Sequence, residues 1–397
     1  MKQSIMNKTL LICPSVGVWR IEGKLYFDRK FYDGLVSYQK IWGSKLRVLM
    51  WLDCQLPPQF GLIEYDQAKA AFELVMIEAN ATIMADDLVG TDIVMASADD
   101  YRQTHVSALC KRLCIKCVYV IEYTIKTRIQ ITMLNRTSFW QKCKSVAWLV
   151  IQEIKLRKAL RQASSMQLNG MPAYNRYAAL SPNSLLYFDT RNSANMLVTQ
   201  QALEDRLSYL DQQLPIRLGF SGRLIAMKGA NDLIELANTL QKSGIAFSFD
   251  IFGAGDEFDA MLGKIKEYDL QDKVKLHGAV DYETELVPFV RSSLDIFICC
   301  HKQGDPSCTY LETYACGVPI VGYANDAHVG ILNKVDVGWS LPINDIDALA
   351  RQIVILDKNR DQIKTKAKTA IGFAKAHTFE ATFEARIKHC IEVVGEV

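Results

Sequence analysis

The chain has little of what marks fibrous, disordered or membrane-spanning proteins. Only 22 of its 397 residues are glycine and 10 are proline, whereas 49% are hydrophobic and 23% are charged. This balance excludes a collagen-like or low-complexity chain and is typical of a globular protein with a sizeable core. No apolar run approaches the roughly 20 residues that a membrane-spanning helix needs, so we expect the chain not to cross a bilayer.

The cysteines also lack a recognisable pattern. There are 11 of them, without the regular spacing of a disulfide-rich secreted domain, so we expect free thiols in a reducing, cytoplasmic compartment. Cys110, Cys114 and Cys117 lie close in sequence, but a fourth zinc ligand is missing and the segment is basic and helix-prone. The sequence therefore predicts no metal site.

The length and the hydrophobic pattern predict two α/β domains. A chain of 397 residues exceeds one ordinary core, because domains usually hold about 100–150 residues. Short apolar runs alternate with longer amphipathic stretches, which is typical of parallel sheets with crossover helices. We expect doubly wound domains at 1–205 and 206–375, joined near 200–214, and a last helix within 376–397 that packs back toward the first domain.

The individual elements follow from the same rhythm. The predicted strands are 9–14, 46–52, 93–97, 117–123, 216–221, 247–252, 273–277, 295–300, 318–323 and 337–341. The predicted helices are 24–42, 66–79, 101–113, 139–161, 229–242, 256–268, 283–292, 306–316 and 379–394. Because ligands bind at the carboxyl ends of parallel strands, we expect the two domains to share one ligand cleft.

The small net charge of +2 hides two halves of opposite sign. Up to residue 200 there are 25 Lys and Arg against 16 Asp and Glu, and after it 21 against 28, which gives +9 and −7. A basic half favours an anionic partner, whether phospholipid, nucleic acid or a phosphorylated substrate.

The basic character is strongest in segment 124–161. It holds nine cations and a single acid, Glu153, interleaved with Phe139, Trp140 and Trp148. The cations are Lys126, Arg128, Arg136, Lys142, Lys144, Lys155, Arg157, Lys158 and Arg161. Basic residues with interfacial aromatics favour an anionic membrane surface over a merely solvated basic face. The pattern matches no nucleic-acid-binding module, so no nucleic-acid partner is expected.

Two strand-to-helix loops in the second half carry chemistry. Segment Ser221-Gly-Arg-Leu-Ile-Ala-Met-Lys-Gly229 brings Arg223 and Lys228 beside a helix amino terminus, an arrangement that suits a diphosphate, although solvated loop cations remain an alternative. In the second loop, Asp305 is expected to cap a helix of about three turns that has Pro306 at its first position. Glu312 then lies almost two turns into that helix, where its carboxylate could accept hydrogen bonds from the vicinal hydroxyls of a ribose.

Together these loops resemble the nucleotide-sugar half of retaining glycosyltransferases of family 4, which have the GT-B architecture of two Rossmann-like domains facing a central cleft. The resemblance spans about residues 216–345 in order and spacing. Its motifs are Gly222-Arg-Leu, Lys228-Gly229, Phe252-Gly-Ala-Gly-Asp256, His277-Gly278, Glu312 and Gly317-Val-Pro.

The resemblance implies a role for each matched residue. Arg223 and Lys228 would hold the donor diphosphate, and Glu312 would bind the ribose. The amides of Thr309 and Tyr310 would hold the distal phosphate, and the loop from Gly278 to Val280 would contact the base edge. Further donor-side residues on this view are Gly23, Gly253, Gln303, Gly304, Asp305 and Ser307. No metal or other cofactor is implied, because the cations and the helix terminus neutralise the leaving diphosphate.

The sequence departs from the family pattern in two places. The first Glu of the family's Glu pair, which contacts the donor sugar, is replaced by Gly304, and Gln303 and Asp305 flank that position. The His that the family often has at the end of a strand in the first domain is replaced by Glu122, either a polar residue of the acceptor side or a solvent-facing one. The first half otherwise resembles the family only in its rhythm and in a step at Gly23 that is expected to open a helix near the donor phosphates.

The resulting expectation is a cytoplasmic glycosyltransferase, peripheral at the inner face of the membrane. It would move a sugar, with retention, from a nucleotide sugar to a lipid-linked or saccharide acceptor in surface polysaccharide biosynthesis. Two alternatives stay open: a nucleotide-sugar epimerase of the same fold, and a catalytically silent subunit that binds sugar nucleotides. The base, the sugar and the acceptor are not specified by the sequence.

Overall fold

A computed structural model describes residues 7–53, 57, 61–134, 138–181, 183–304 and 306–395. The chain divides into two compact units. Unit 1 contains the residues up to Ile125, Phe139–Tyr187 and the residues from Glu380 onward, and unit 2 contains Phe188–Phe379 with the described part of Lys126–Ser138. The predicted boundary at residue 205 falls inside a helix, α6 (Gln200–Asp211), which belongs to unit 2 together with the whole of the predicted linker.

The remaining elements are numbered along the chain. The strands are β1 (Thr9–Cys13), β2 (Trp19–Ile21), β3 (Lys24–Asp28), β4 (Lys45–Trp51), β5 (Leu62–Glu64), β6 (Glu73–Ile77), β7 (Ile93–Ser97), β8 (Lys116–Ile121), β9 (Ser165–Asn169), β10 (Ser184–Tyr187), β11 (Ile216–Ser221), β12 (Phe247–Phe252), β13 (Val274–Gly278), β14 (Ile296–Cys299), β15 (Ile320–Tyr323) and β16 (Gly338–Leu341). The helices are α1 (Arg29–Trp42), α2 (Val106–Arg112), α3 (Ile125–Leu134), α4 (Phe139–Gln162), α5 (Gly170–Tyr177), α7 (Ala230–Lys242), α8 (Phe258–Glu267), α9 (Val287–Ser293), α10 (Thr309–Ala315), α11 (Asp326–Leu332), α12 (Ile346–Lys358), α13 (Asp361–Ala376) and α14 (Phe379–Gly395).

Each unit is built on one parallel sheet with helices in the connections. In unit 1 seven strands have the order β10-β9-β8-β7-β1-β4-β6, and in unit 2 six strands have the order β13-β12-β11-β14-β15-β16. The central strands are buried runs of apolar residues, as a sheet covered on both faces requires. The predicted fold class, α/β with two doubly wound Rossmann-like domains, is confirmed. Among the described helices, none combines the length and the apolar character needed to cross a bilayer.

Two predicted helices of the first half are wrong in whole or in part. The helix predicted at 66–79 is absent, and its second half forms β6, which pairs in parallel with β4. The helix predicted at 24–42 begins at Arg29, because Lys24–Asp28 pairs with β2 and β5 in a separate three-stranded sheet. Strand pairing has overridden local helix propensity in both places.

Strand β9 was not predicted from the sequence, because three of its five buried residues are polar. Ser165 and Gln167 have partners in α14, at the far end of the chain. Ser165 lies 2.8 Å from His389 Nε2, while the amide group of Gln167 accepts a hydrogen bond from Arg386 Nε and donates one to the Arg386 carbonyl, both at 2.8 Å. Buried polar groups normally find such partners, and these bonds join the C-terminal helix to unit 1.

Candidate functional site

The order of strands in unit 2 reverses between β11 and β14. Strands β12 and β13 extend the sheet on one side of this pair, and β15 and β16 extend it on the other. In open parallel sheets, ligands bind in the crevice outside the carboxyl ends of the strands at such a reversal. The loops that leave β11 and β14 are the two that the sequence singles out.

Backbone contacts hold three loops of this sheet edge together. Gly222 donates to the carbonyl of Phe252 at 3.1 Å, and Gly253 donates to the carbonyl of Gly278 at 2.7 Å. Gly253 has φ 135°, and a Cβ there would lie 1.9 Å from the Gly222 carbonyl oxygen. Only glycine permits this approach. Three of the predicted motifs therefore meet, although the amide of Gly253 is engaged within the protein.

The loop after β11 places its two cations differently. Arg223 is exposed, whereas Lys228 is 6% exposed in the turn before α7. The amide of Lys302 donates to the Met227 carbonyl at 3.1 Å, which fixes this turn against the residues that follow β14. The structure thus brings Lys228 beside the second loop, which follows β14. Its contact with a diphosphate stays a prediction.

The helix that follows the second loop is shorter than predicted. Helix α10 starts at Thr309, and Cys308 precedes it without a capping side-chain bond. Asp305, the predicted cap, lies outside the described residues, and Pro306 is separated from the helix by a turn in which the Tyr310 amide donates to the Ser307 carbonyl at 3.3 Å. The predicted three turns become seven residues, about two turns.

The short helix brings Glu312 into the first turn, nearer the helix amino terminus than predicted. Its carboxylate is paired with Arg191, whose Nε and a terminal nitrogen lie 2.8 and 3.2 Å from the two carboxylate oxygens. The Arg191 guanidinium lies 4.1 Å from the centre of the Tyr282 ring. Glu312, the residue predicted to bind ribose, is therefore held in one orientation by Arg191, which the motifs did not reveal.

Glu312 also lines a small cavity of about 10 Å³. Ser221 at the end of β11, Tyr282 and Phe297 of β14 lie around it. That volume suits at most about one water molecule. The cavity is therefore too small to hold a nucleobase or a sugar.

The Gln303–Gly304 loop is contacted by α3, which belongs to unit 2. The Gly304 amide donates to Gln130 Oε1 at 3.3 Å, and the Thr127 hydroxyl donates to the Gly304 carbonyl at 3.4 Å. A side chain at 304 would begin 3.1 Å from Cβ of Asp326, whose carboxylate is 2.7 Å from Lys126. Position 304 therefore leaves little room for a side chain, and α3 and Asp326 surround it with polar groups.

His301, which follows β14, is a further polar residue at this edge. Its ring is 1% exposed, and neither nitrogen has a hydrogen-bond partner among the described residues. Burial, together with nearby Lys228, His328 and Arg223, lowers the pKa of His301 well below its usual value. The neutral ring can donate one hydrogen bond and accept another. His301 therefore adds one donor and one acceptor beside Lys228.

The predicted residues of the first half lie in unit 1. Gly23 has φ 81° in the two-residue turn between β2 and β3, so it opens a hairpin and not the predicted helix. Glu122 follows β8 and is half-buried; its amide donates to Asp99 Oδ2 at 2.8 Å. Its acceptor-side role stays a prediction.

The basic segment 124–161 forms two helices, α3 and α4, which belong to different units. Lys126 of α3 pairs with Asp326 in unit 2. In α4 the single acid, Glu153, is buried and bonds Arg157 at 3.0 Å, so this cation is also engaged within the protein. Arg136 lies outside the described residues. The exposed cations of the segment belong mainly to α4.

Metal ligands are not clustered in the part of the chain that the structure describes: no group of three or more His, Cys, Asp or Glu residues could hold an ion there. The predicted independence from metal stays a prediction.

Sequence reasoning missed three residues of this site: Arg191, Gln130 and His301. Arg191 and Gln130 reach their partners across 121 and 174 residues of chain, so local spacing carries no signal for them. His301 could have been noticed, because it directly follows the predicted strand 295–300, and ligands bind at the carboxyl ends of parallel strands.

Comparison with known proteins supports the interpretation of the motifs. Residues 206–370 match the family model of glycosyl transferases group 1. The putative colanic acid biosynthesis glycosyltransferase WcaL of Escherichia coli is 26% identical over 166 residues, which cover 39% of this chain and 40% of WcaL. The alignment thus spans about two fifths of that relative. The resemblance inferred from the motifs is confirmed at the level of this family model.

Solved structures resemble the whole chain in fold. The crystal structure of Anabaena HepE in complex with UDP is similar with a TM-score of 0.64 and 13% identity, covering 97% of this chain and 99% of HepE. WaaG, a glycosyltransferase involved in lipopolysaccharide biosynthesis, is similar with a TM-score of 0.59 and 10% identity, covering 98% of this chain and all of WaaG. At these identities the likeness concerns the fold, and it agrees with the predicted GT-B architecture.

Proposed function

We propose that this chain is a glycosyltransferase that moves a sugar, with retention, from a nucleotide sugar to a lipid-linked or saccharide acceptor in surface polysaccharide biosynthesis. The observation that carries the proposal is that three features lie together at the strand reversal of unit 2. They are the loop after β11 that contains Arg223 and Lys228, which we call the cation loop, the Gln303–Gly304 loop, and Glu312. This part of the chain is also the part that matches the family model.

The chemistry follows from the charges. Transfer breaks the bond between the anomeric carbon and a diphosphate oxygen and joins that carbon to the oxygen of an acceptor hydroxyl, whose proton passes to the leaving diphosphate. Negative charge develops on the diphosphate as it leaves. Arg223 would grip phosphate oxygens with its planar fork, while Lys228 supplies a largely desolvated point charge. Fixed cations aimed at developing charge are among the strongest catalytic devices, so no metal is assigned to the reaction.

The relatives support the choice of substrates. HepE was crystallised with UDP, which supports a nucleoside diphosphate sugar as the donor here. WcaL and WaaG are named for colanic acid and lipopolysaccharide biosynthesis, which supports a growing surface polysaccharide as the acceptor. Both assignments are by analogy of fold and motif.

A membrane role is proposed for α4. Phe139, Trp140, Ile151 and Ile154 are exposed on it, Trp140 to 75%. Trp140, Lys144, Ile151 and Lys155 recur at intervals of four, seven and four residues, so they lie on one face of the helix. Apolar residues bordered by cations suit the surface of an anionic leaflet. We therefore propose that the protein works at the cytoplasmic face of the membrane, near a lipid-linked acceptor.

Turnover separates the proposal from its alternatives. The protein is incubated with UDP-linked and GDP-linked sugars, with and without lipid-linked saccharides from bacterial membranes, and the release of nucleoside diphosphate is measured. We expect release that depends on the acceptor for at least one donor. Conversion of one nucleotide sugar into another without release would identify an epimerase, and binding without any turnover would identify a silent subunit. Either result would contradict the transferase.

Replacing Glu312 by Gln should weaken the nucleoside diphosphate and its sugar conjugate by a similar factor, because both contain the ribose. Loss of a hydrogen-bonding charge costs about 1.5–3 kcal/mol, or roughly 10- to 100-fold in affinity. Calorimetric titration of both ligands measures this. Glu267→Gln, an exposed residue of α8, is the control and should bind normally. Unchanged affinity in the Glu312 variant would remove this residue from the site.

A further inference from the structure

Arg191 holds both oxygens of the Glu312 carboxylate. Its Nε lies 2.8 Å from Oε1, and a terminal nitrogen lies 3.2 Å from Oε2. Two parallel bonds from a planar guanidinium fix the plane of a carboxylate as well as its position. On its other side the guanidinium lies 4.1 Å from the centre of the Tyr282 ring, a cation–π arrangement that restricts the arginine itself.

The backbone next to Arg191 is anchored to the same elements. Asn192 is buried; its side-chain amide donates to the Leu311 carbonyl at 3.2 Å and accepts a bond from the Tyr282 hydroxyl at 2.6 Å. The Phe379 amide donates to the Asn192 carbonyl at 2.7 Å. These bonds hold Arg191, Tyr282 and α10 in one arrangement.

The pair leaves the carboxylate free to bind a ligand. An ionised carboxylate offers about four acceptor sites, of which Arg191 uses two. Glu312 retains 11% side-chain exposure, and Arg191 covers it only in part, being 46% exposed. Two vicinal hydroxyls can use the remaining sites. Burial alone would lower the pKa of Arg191, but the charge of Glu312 more than offsets this and keeps the pKa above its usual value, so the guanidinium remains charged.

We infer that Arg191 is a positioning residue for ribose: it holds the Glu312 carboxylate so that its two remaining acceptor sites meet the vicinal hydroxyls of a ribonucleotide. The inference rests on the proposed function, because it concerns the same nucleotide subsite. It assigns the preference for ribose over deoxyribose to the Arg191–Glu312 pair and not to Glu312 alone.

Unit 2 contains a matched control. Arg217 bonds Asp295 through two nitrogens at 3.1 and 2.7 Å and lies 3.7 Å from the centre of the Tyr209 ring. The chemistry therefore repeats that of Arg191. Arg217 lies near the start of β11, and Asp295 precedes β14, so this pair is at the amino ends of the strands, away from the predicted site.

The test compares nucleotides that differ by one hydroxyl. Dissociation constants for UDP, GDP and their 2′-deoxy forms are measured for the wild type and for Arg191→Ala, Arg191→Lys and Arg217→Ala. We expect the wild type to prefer a ribonucleotide by roughly tenfold or more, since one hydrogen bond to a charged group is lost in the deoxy form. Arg191→Ala should lose most of this preference by weakening the ribonucleotide, with the deoxynucleotide little changed.

The other variants distinguish positioning from general damage. Arg191→Lys keeps the charge but not the fork, so its preference should be intermediate. Arg217→Ala should keep the full preference even if its thermal unfolding midpoint falls. An Arg191→Ala variant that keeps the full preference, or binds the ribonucleotide more tightly than the wild type, overturns the inference alone. A wild type that binds none of the four nucleotides overturns the proposed function, and the inference with it.

Discussion

Removing either cation of the loop after β11 is expected to lower turnover of the nucleotide sugar by about 10²–10³ at saturating donor. This is the usual effect of deleting one fixed electrostatic group that stabilises a developing charge. The variants are Arg223→Ala and Lys228→Met, and the measurement is the rate of nucleoside diphosphate release. Methionine is chosen at 228 because Lys228 is buried, and an apolar side chain of similar length keeps the packing.

The control for this prediction is Arg351→Ala, which removes an exposed cation of α12 in the same unit. It should transfer sugar normally. Thermal unfolding of all three variants shows whether any loss of rate comes from loss of structure. Near-normal turnover in both Arg223→Ala and Lys228→Met would exclude the cation loop as the site of the leaving group.

Reversing the exposed cations of α4 is expected to abolish binding to anionic vesicles. Each cation near such a surface contributes ~1 kcal/mol, and reversing Lys144, Lys155, Lys158 and Arg161 to Glu turns four attractions into repulsions. Binding of the wild type should also weaken at high salt, because the Debye length falls from about 10 Å at 0.1 M to about 3 Å at 1 M. Flotation with phosphatidylglycerol vesicles measures both effects.

A charge-matched variant separates the surface of α4 from net charge. Reversing Lys242, Lys358, Lys368 and Lys375, which are exposed on helices of unit 2, changes the net charge by the same amount. This variant should still float, and both variants should bind nucleotide normally. A wild type that does not float at low salt would contradict the proposed membrane binding. An α4 variant that floats as well as the charge-matched one would contradict the role of α4 in it.

The sheet of unit 2 could be predicted because its strands are defined locally. The apolar runs that become β11 and β12 were placed to the residue, and the loop motifs between them follow from glycine and cation spacing. A strand buried on both faces is a nearly continuous apolar run, so it can be recognised from its own residues.

Elements that depend on distant partners could not be predicted. Residues 66–79 contain good helix formers, yet part of them pairs with β4, and that pairing is invisible in the local sequence. Ser165 and Gln167 of β9 look unsuitable for a buried strand until α14 supplies hydrogen bonds to them. In these cases tertiary contacts outweigh local propensity.

The same limit applies to the site. Arg223, Lys228 and Glu312 belong to motifs, so the sequence could single them out, and their contacts with a donor stay predictions. Arg191 could not be singled out, because it lies in a turn-rich segment and its contact with Glu312 exists only in the folded unit. The length of α10 was also overestimated, since Pro306 imitates a helix start that the chain makes three residues later.

Thermal unfolding with a panel of nucleotide sugars tests the central claim most directly, namely that unit 2 binds the diphosphate of a nucleotide sugar between its two loops. A ligand at 100 times its dissociation constant should stabilise the wild type by about 2.7 kcal/mol. The account predicts that at least one UDP-linked or GDP-linked sugar raises the unfolding midpoint, and that the double variant Arg223→Ala, Lys228→Met loses this rise. A panel that leaves the wild type unmoved, or an equal rise in the double variant, would contradict it.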